Sequence, residues 1–369
     1  MRQLKIIISG GGSGGHIFPA VAIAKSIAQK RKNIDFLFVG ARDKMEMEKV
    51  PNEGFKIVGL WISGFHRGEI IRNLFFPFKL FFSLIKSIFL IISYKPDLVI
   101  GTGGFASGPI LYVAAKFGVP TLIQEQNSYA GITNKILSKY VDIICVAYEN
   151  MHRFFTKEKI ILAGNPIRKN IIDINRDEKE IKSLFNLKPE NKTVLIIGGS
   201  LGALSINETI EIGLKKLKEN NLNVIWQTGT GFSVRANKKI NEINTTGITS
   251  HQFIKKIELA YEVADIIVSR AGAIAISELC VIGKPTILIP SPNVAENHQY
   301  KNAQSLVNKN AALLVEDSDA NNKLVKEIID LKNNSFLMNE LGKNIKKLEY
   351  KNASDIIADY ALNLITNEY

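Results

Sequence analysis

The sequence predicts an α/β protein made of two doubly wound, Rossmann-like parallel sheets, and three observations carry that prediction. An apolar run at Ile6, Ile7 and Ile8 passes straight into GGGSGG at 10–15 and then into the helical run AVAIAKSIAQK. The same order of strand, glycine loop and helix returns in TVLIIGGSLGALSIN at 193–207. Between and after these, strand-like runs alternate with helical ones, the pattern of βα units whose strands pair in parallel. With 369 residues the chain has room for two such domains.

Taken in order, IDFLFVG (34–40) and FKIVGLWI (55–62) read as the second and third strands, with a helix-like RDKMEMEKV between them. SGFHRGEIIRN follows as a polar connection. LFFPFKLFFSLIKSIFLIISY (74–94) is the oddest stretch: Pro77 suits a first helical turn, Lys79, Ser83 and Lys86 share one stripe, and six phenylalanines cover the rest. A spanning helix would place two lysines at depth, at about 2.5–3.5 kcal/mol each, and its uninterrupted apolar runs are short for a span. An interfacial helix with a basic stripe is the preferred expectation; a broadly buried core helix is the alternative. KPDLVIGTGGFASGP (95–109) repeats the strand and glycine-loop order, and PTLIQEQN, VDIICVAY and KIILAGNPIR supply further strands. After 193, NVIWQTG, GITSHQFI, ADIIVSRAGAIAISEL and KPTILIP continue the alternation. The tail at 354–365 reads as an amphipathic helix capped by Ser354. The expected domains are 1–165, 166–350, and a helix in 351–369 returning to the first domain.

Composition bounds the function. At 46% hydrophobic and 22% charged residues, the chain has the make-up of a soluble globular protein, and no N-terminal signal peptide is expected. Cys145 and Cys280 sit in separate apolar runs and read as reduced, buried thiols. The net charge of +12 is uneven. Residues 1–165 hold 21 lysines and arginines against 11 acidic residues, and the remainder 26 against 24. The basic half suggests an anionic partner. Without a recognition module or aromatic–basic interleaving, a membrane surface is expected there rather than nucleic acid.

A glycine loop at a helix start offers free N–H groups and the positive end of a dipole to an anion, and His16 beside it can exchange a proton near neutral pH. Residues 10–15 match G-x-G-x-x-G, but a dinucleotide site wants an acidic residue closing the second strand. There Val39 is followed by Gly40 and Ala41, which argues against a nicotinamide enzyme. No G-K-[ST] marks a triphosphate loop. Asp317 and Asp319 resemble a metal-binding D-x-D, but they precede a helix, where aspartates cap. No metal and no cofactor is expected. His66, His152, His251 and His298 read as surface residues.

GGGSGGHIFPAVAIA, GTGGFASGP, QEQN, GNPIR, GGSLGA, SRAGAIAISE and ENHQYKNA together resemble the MurG family, the UDP-N-acetylglucosamine–lipid I N-acetylglucosaminyltransferases of peptidoglycan synthesis, in order and spacing across essentially the whole chain. The resemblance implies a GT-B glycosyltransferase fold, two domains facing a deep cleft, with the acceptor held mainly by the first and the nucleotide sugar by the second. It also implies a peripheral enzyme on the cytoplasmic face of a bacterial plasma membrane. UDP-GlcNAc, lipid I, an anionic surface met by residues 74–92 and other cell-wall synthesis proteins would be the partners. By the same resemblance His16 is similar to the proposed general base, Ser13, Gly14 and Gly15 lie near the sugar and acceptor diphosphate, and Gly103 and Gly104 form an acceptor loop. Asn127 would hold GlcNAc, Arg168 and Ser200 would contact nucleotide or diphosphate, and Ile254 would pack on uracil and read its edge. Ala273, Ile274, Ala275, Ile276 and Ser277 would approach diphosphate and ribose, Glu278 would accept from the ribose hydroxyls, and Gln299 would bind the donor sugar. Gln124 departs from the commoner HEQN and cannot titrate. Glu125 stays open between a buried structural acid and a functional one. A diacylglycerol-type acceptor, or a nucleotide-sugar-binding subunit without turnover, are the competing readings.

Overall fold

The computed structural model describes residues 2–64, 73–171, 177–244 and 246–366. His66 and most of the polar connection before residue 74 lie outside them. The chain divides into two compact units, 1–167 with 350–369, and 168–349.

In the first unit, β1 (Leu4–Ser9), β2 (Ile34–Ala41), β3 (Lys56–Leu60), β4 (Leu98–Gly101), β5 (Thr121–Glu125), β6 (Ile143–Val146) and β7 (Ile160–Leu162) form a parallel sheet in the order β3-β2-β1-β4-β5-β6-β7. Alternate residues of β1 serve opposite faces, as a two-residue period requires. Ile7 packs into one core cluster and Ile6 and Ile8 into the other. Such strands, buried on both faces, read as continuous apolar runs, which is why the sequence displayed them clearly. Strand order reverses between β1 and β4, and loops beyond the carboxyl ends of strands at such a point are where α/β sheets bind ligands. α1 (Gly14–Lys30) and α2 (Glu46–Asn52) follow β1 and β2, α4 (Ser107–Lys116) follows β4, and α5 (Ile132–Leu137) follows β5.

α3 (Phe76–Tyr94) begins with Pro77 in its first turn, but its polar stripe faces the protein. Lys79 Nζ donates to Ser63 Oγ (3.1 Å), Ser83 Oγ to the Trp61 carbonyl (3.0 Å) and Lys86 Nζ to the Gly59 carbonyl (2.8 Å). Ser83 and Ser87 are buried, while Phe78, Phe81, Phe82 and Phe89 are 51–68% exposed. This corrects the expected basic stripe turned to anionic lipid: the two lysines satisfy carbonyl and hydroxyl groups at the edge of the sheet. Burial, and then the charge of Arg42, lower the Lys86 pKa.

α14 (Ala353–Thr366) starts two residues earlier than a Ser354 cap would set it: Ser354 lies inside the helix, and the N–H groups of Asp355 and Ile356 bond to the Asn352 carbonyl. It packs on α1: Ile357, Ala358 and Ala361 are buried, Ser26 Oγ donates to Asp355 (2.5 Å) and Lys30 pairs with Asp359 (2.6 Å).

In the second unit, β8 (Lys192–Ile197), β9 (Leu222–Gln227), β10 (Ile248–His251), β11 (Ile266–Ser269), β12 (Thr286–Leu288) and β13 (Leu313–Leu314) run parallel in the order β10-β9-β8-β11-β12-β13, reversing between β8 and β11. Its core gathers on fully buried Trp226, whose indole N–H donates to Asn207 on α7 (Leu204–Glu219) at 2.9 Å. Both cysteines are buried thiols. His152 is exposed, but His251 and His298 are partly buried, His251 edge-on to Phe185 and His298 paired with Glu296; polar neighbours alone had suggested surface positions.

Candidate active site

In the first unit β1 stops at Ser9, whose hydroxyl donates to the Val39 carbonyl, and α1 starts at Gly14 with Ser13 as its N-cap. The Ser13 carbonyl accepts from the N–H groups of His16 and Ile17. Gly14 and Gly15 precede the first intrahelical donor, so helix geometry leaves their N–H groups without a partner inside the helix. His16, three residues into the helix, is fixed at both ends: Thr102 donates to its carbonyl (2.8 Å), and its Nδ1 lies 3.0 Å from the Gly11 carbonyl and 3.2 Å from Ser13 Oγ. A carbonyl oxygen only accepts, so Nδ1 carries the hydrogen and Nε2 keeps a lone pair. Burial lowers the His16 pKa from 6.5, against upward pushes from the Gly11 hydrogen bond and the charges of Glu125 and Glu46. A shift in that direction favours the neutral imidazole, with its Nε2 lone pair available to a proton.

The loop after β4 packs against this arrangement and needs its glycines. A Cβ on Gly103 (φ +94°) would stand 3.2 Å from His16 Nε2, and one on Gly104 (φ +80°) 2.3 Å from the Gly11 carbonyl oxygen. Gln124 and Gln126 join a buried amide network: Gln124 donates to Asn165 (2.8 Å), Gln126 to Gln124 and to the Thr102 carbonyl, and Asn165 to the Gln126 carbonyl (3.0 Å). Both ends of the Gln124 amide are thereby engaged within the unit. Glu125 is buried and accepts from Asn127 N and Nδ2, from Gly131 N and from Asn134 Nδ2, at 2.9–3.2 Å. These bonds tie together the loop carrying Asn127.

In the second unit the loop after β8 runs from 198 to 203. The helix after this loop, α7, begins only at Leu204 with Ala203 as its N-cap. Ser200 is an exposed loop residue. Gln227 ties this loop to the next: its Nε2 donates to the Gly199 carbonyl and its Oε1 accepts from Ile254 N, both at 2.9 Å. The Ile254 N–H is thus already used and its side chain is buried, leaving its carbonyl as the group able to read a base edge.

α10 (Ala273–Ile282) does begin at its glycine, with Gly272 as N-cap. By helix geometry Ile274 and Ala275 present N–H groups without an intrahelical acceptor. Ile276 does not join them: its N–H donates to the Gly272 carbonyl (2.9 Å) and its side chain is 1% exposed. Ser277 donates to the Ala273 carbonyl. Glu278, buried near the end of the first turns, takes two hydrogen bonds from Arg168 (2.9 and 3.1 Å) and one from Tyr261 (3.4 Å) on α9 (Ile257–Val263). Burial pushes the Glu278 carboxyl up, and the Arg168 guanidinium pulls it back. Arg168 therefore meets a carboxylate, a partner the sequence did not suggest. Gln299 accepts from Ser291 N (2.8 Å).

Asp317 accepts from Arg270 and from Ser205, and Asp319 pairs with Lys323, so both aspartates have cationic partners. Among the described residues no group of three or more His, Cys, Asp or Glu could hold a metal ion. Glu46, Thr102, Gln227, Tyr261 and Arg270 are the members that reading the sequence missed. For Glu46 and Thr102 the nearest signal was the glycines at 10, 11 and 40 that these two side chains oblige to stay small; Gln227, Tyr261 and Arg270 left no such mark.

The two halves match the N-terminal (residues 6–146) and C-terminal (193–358) domains of glycosyltransferase family 28. Two parallel-sheet units with glycine loops at their switch points, matched in that order, define a family 28 glycosyltransferase. Curated relatives named UDP-N-acetylglucosamine–N-acetylmuramyl-(pentapeptide) pyrophosphoryl-undecaprenol N-acetylglucosamine transferase come from Christiangramia forsetii, 48% identical with 99% of both chains covered, and Flavobacterium psychrophilum, 48% identical with 100% of both covered. The crystal structure of Acinetobacter baumannii MurG superimposes with a TM-score of 0.80 at 26% identity, covering 98% of this chain and 100% of that one. The chain belongs to the MurG family of N-acetylglucosaminyltransferases.

Proposed function

We propose that this protein transfers GlcNAc from UDP-GlcNAc to the C4 hydroxyl of undecaprenyl-diphosphate-MurNAc-pentapeptide, lipid I, with inversion at C1 to give the β-1,4-linked lipid II. Full-length identity to the named relatives supports the reaction, and the orientation of His16 supports its mechanism. With Nδ1–H bonded to Gly11, Nε2 takes the proton of the attacking hydroxyl; a base so placed contributes roughly 10²–10⁴-fold. Gly14 and Gly15 N–H groups, with the Gly103–Gly104 loop beside them, receive the acceptor diphosphate, and Asn127, held by Glu125, receives the sugar. In the second unit the Ser200 loop and the Ile274 and Ala275 amides meet the donor diphosphate, where charge grows as the glycosidic bond breaks. Glu278 accepts from the ribose, the Ile254 carbonyl reads uracil, and Gln299 takes the donor sugar. The first unit is thus the acceptor domain and the second the donor domain.

The enzyme works as a peripheral protein on the cytoplasmic membrane face. Its contact is the outward phenylalanine face of α3: the lysine stripe is engaged inward, and the helix, though long and apolar enough to span, is bonded to its own unit along that stripe. The transfer is tested with labelled UDP-GlcNAc, a short-chain lipid I analogue and diacylglycerol as the competing acceptor. Label in the muramyl lipid alone is expected; label in diacylglycerol, or donor binding without transfer, overturns the reading. Phe81→Ser with Phe82→Ser is expected to weaken binding to anionic vesicles by tenfold or more, since each buried phenylalanine contributes roughly 1.5–3 kcal/mol, with the donor KM unchanged. Undiminished vesicle binding removes α3 as the contact.

A further inference from the structure

Glu46, the first residue of α2, is fully buried, and burying a carboxylate costs several kcal/mol unless strong partners offset it. Its recorded partners are two backbone amides: Gly12 N–H donates to Oε2 (3.0 Å) and Ala41 N–H to Oε1 (2.9 Å). The chain is moulded around it, since a Cβ on Gly11 would lie 2.1 Å from Oε1 and one on Gly40 2.5 Å from its Cγ. The amide of Gly12 belongs to the same planar peptide group as the carbonyl of Gly11. In a trans peptide the N–H and C=O point to opposite sides, and that carbonyl is the acceptor of His16 Nδ1–H. One peptide group therefore links a buried carboxylate on one side to the imidazole on the other.

We propose that Glu46 is a positioning residue of the transfer reaction, acting on His16 through the Gly11–Gly12 peptide. Holding the N–H fixes the plane of that peptide and hence the carbonyl that selects the Nδ1–H tautomer. Hydrogen bonds in such a chain polarise one another, so the carboxylate also strengthens the Gly11 carbonyl as an acceptor when the imidazole gains a proton. This is the logic of a carboxylate orienting a catalytic histidine, with a peptide group between the two. The other groups facing His16 are the Ser13 hydroxyl, the Thr102 hydroxyl on its carbonyl, the Gly103 backbone with Gln126 behind it, and the charge of Glu125. None of these touches the Gly12 amide in the recorded bonds. The inference rests on His16 as the base, and the test separates the two.

The experiment uses the full-length protein with uniformly ¹⁵N-labelled histidine, His16 being assigned by its loss in His16→Ala. Two-bond ¹H–¹⁵N correlations are expected to show the Nδ1–H tautomer in the unmodified protein and a mixture in Glu46→Gln, whose amide must turn a donor toward one of the two N–H groups. In parallel, Glu46→Gln is expected to lower kcat by tenfold or more with the donor KM unchanged, and to move the acid limb of the kcat–pH profile to lower pH as the anion is lost. Glu46→Asp keeps the charge and is expected to restore the limb in part; it also serves if the glutamine variant does not fold. An unaltered tautomer and acid limb in a folded variant, with only the melting temperature lowered, overturn the proposal. Full turnover by His16→Ala removes the base reading instead, and the tautomer measurement then stands by itself.

Discussion

The two glycine loops occupy the same place in their sheets, each after the strand at a switch point, yet they are built on different supports. Behind GGGSGGH lies a buried anion, Glu46, and the helix starts at once, so His16 stands in its first turn. Behind GGSLGA lies a neutral amide, Gln227, and the helix waits until Leu204, which leaves Ser200 in an open loop. The carboxylate beneath the first loop takes one of its amides, the Gly12 N–H, and the carbonyl of that same peptide meets His16. A neutral bridge leaves the second loop and the start of α10 suited to a diphosphate. The same sequence grammar thus rests on an anion in one unit and on a neutral amide in the other, each supplied by one residue distant in sequence from its loop.

The largest break in this contrast is His16→Ala. It should lower kcat by two orders of magnitude or more while UDP binding, measured calorimetrically, persists; loss of UDP binding instead would assign the first loop to the donor. The unmodified enzyme should lose turnover as pH falls through the His16 pKa, which lies below 6.5, because the base must be neutral. Next comes Glu278→Ala, which removes a buried carboxylate holding Arg168 and Tyr261 and should raise the donor KM by roughly 10- to 100-fold. The acceptor KM should stay where it was, and an unchanged donor KM would leave Glu278 with a purely structural part. Smallest is Gln227→Glu, which gives the second loop the support of the first. Donor affinity should fall by about tenfold from the added charge with the acceptor KM unaltered; undiminished affinity would show that the support does not govern anion binding.

Much of this was legible in the sequence because the parallel strands, buried on both faces, leave uninterrupted apolar runs, and because the glycines at 103, 104 and 202 mark positions of positive φ. His16 and Glu278 announced themselves by the motifs around them. What stayed hidden depended on contacts between distant segments. Glu46 reads as one more charge in a helical stretch until Gly11 and Gly40 close over it. The lysine stripe of α3 reads as a lipid-facing feature until the carbonyls of Trp61 and Gly59 are seen beneath that side of the helix. Ile276 sits inside a motif, yet its N–H already bonds the Gly272 carbonyl and its side chain is buried.

The return of α14 to α1 bears on how the chain is made. Residues 168–349 form a unit contiguous in sequence, whereas the first unit lacks its last helix until nearly the whole chain has left the ribosome. At about 5–20 residues per second, the nascent N-terminal sheet waits on the order of ten seconds or more with the seat of Ile357, Ala358 and Ala361 uncovered. The half of the protein born first is thus the half completed last, and its exposed seam is where a chaperone or a misfolding encounter would find it.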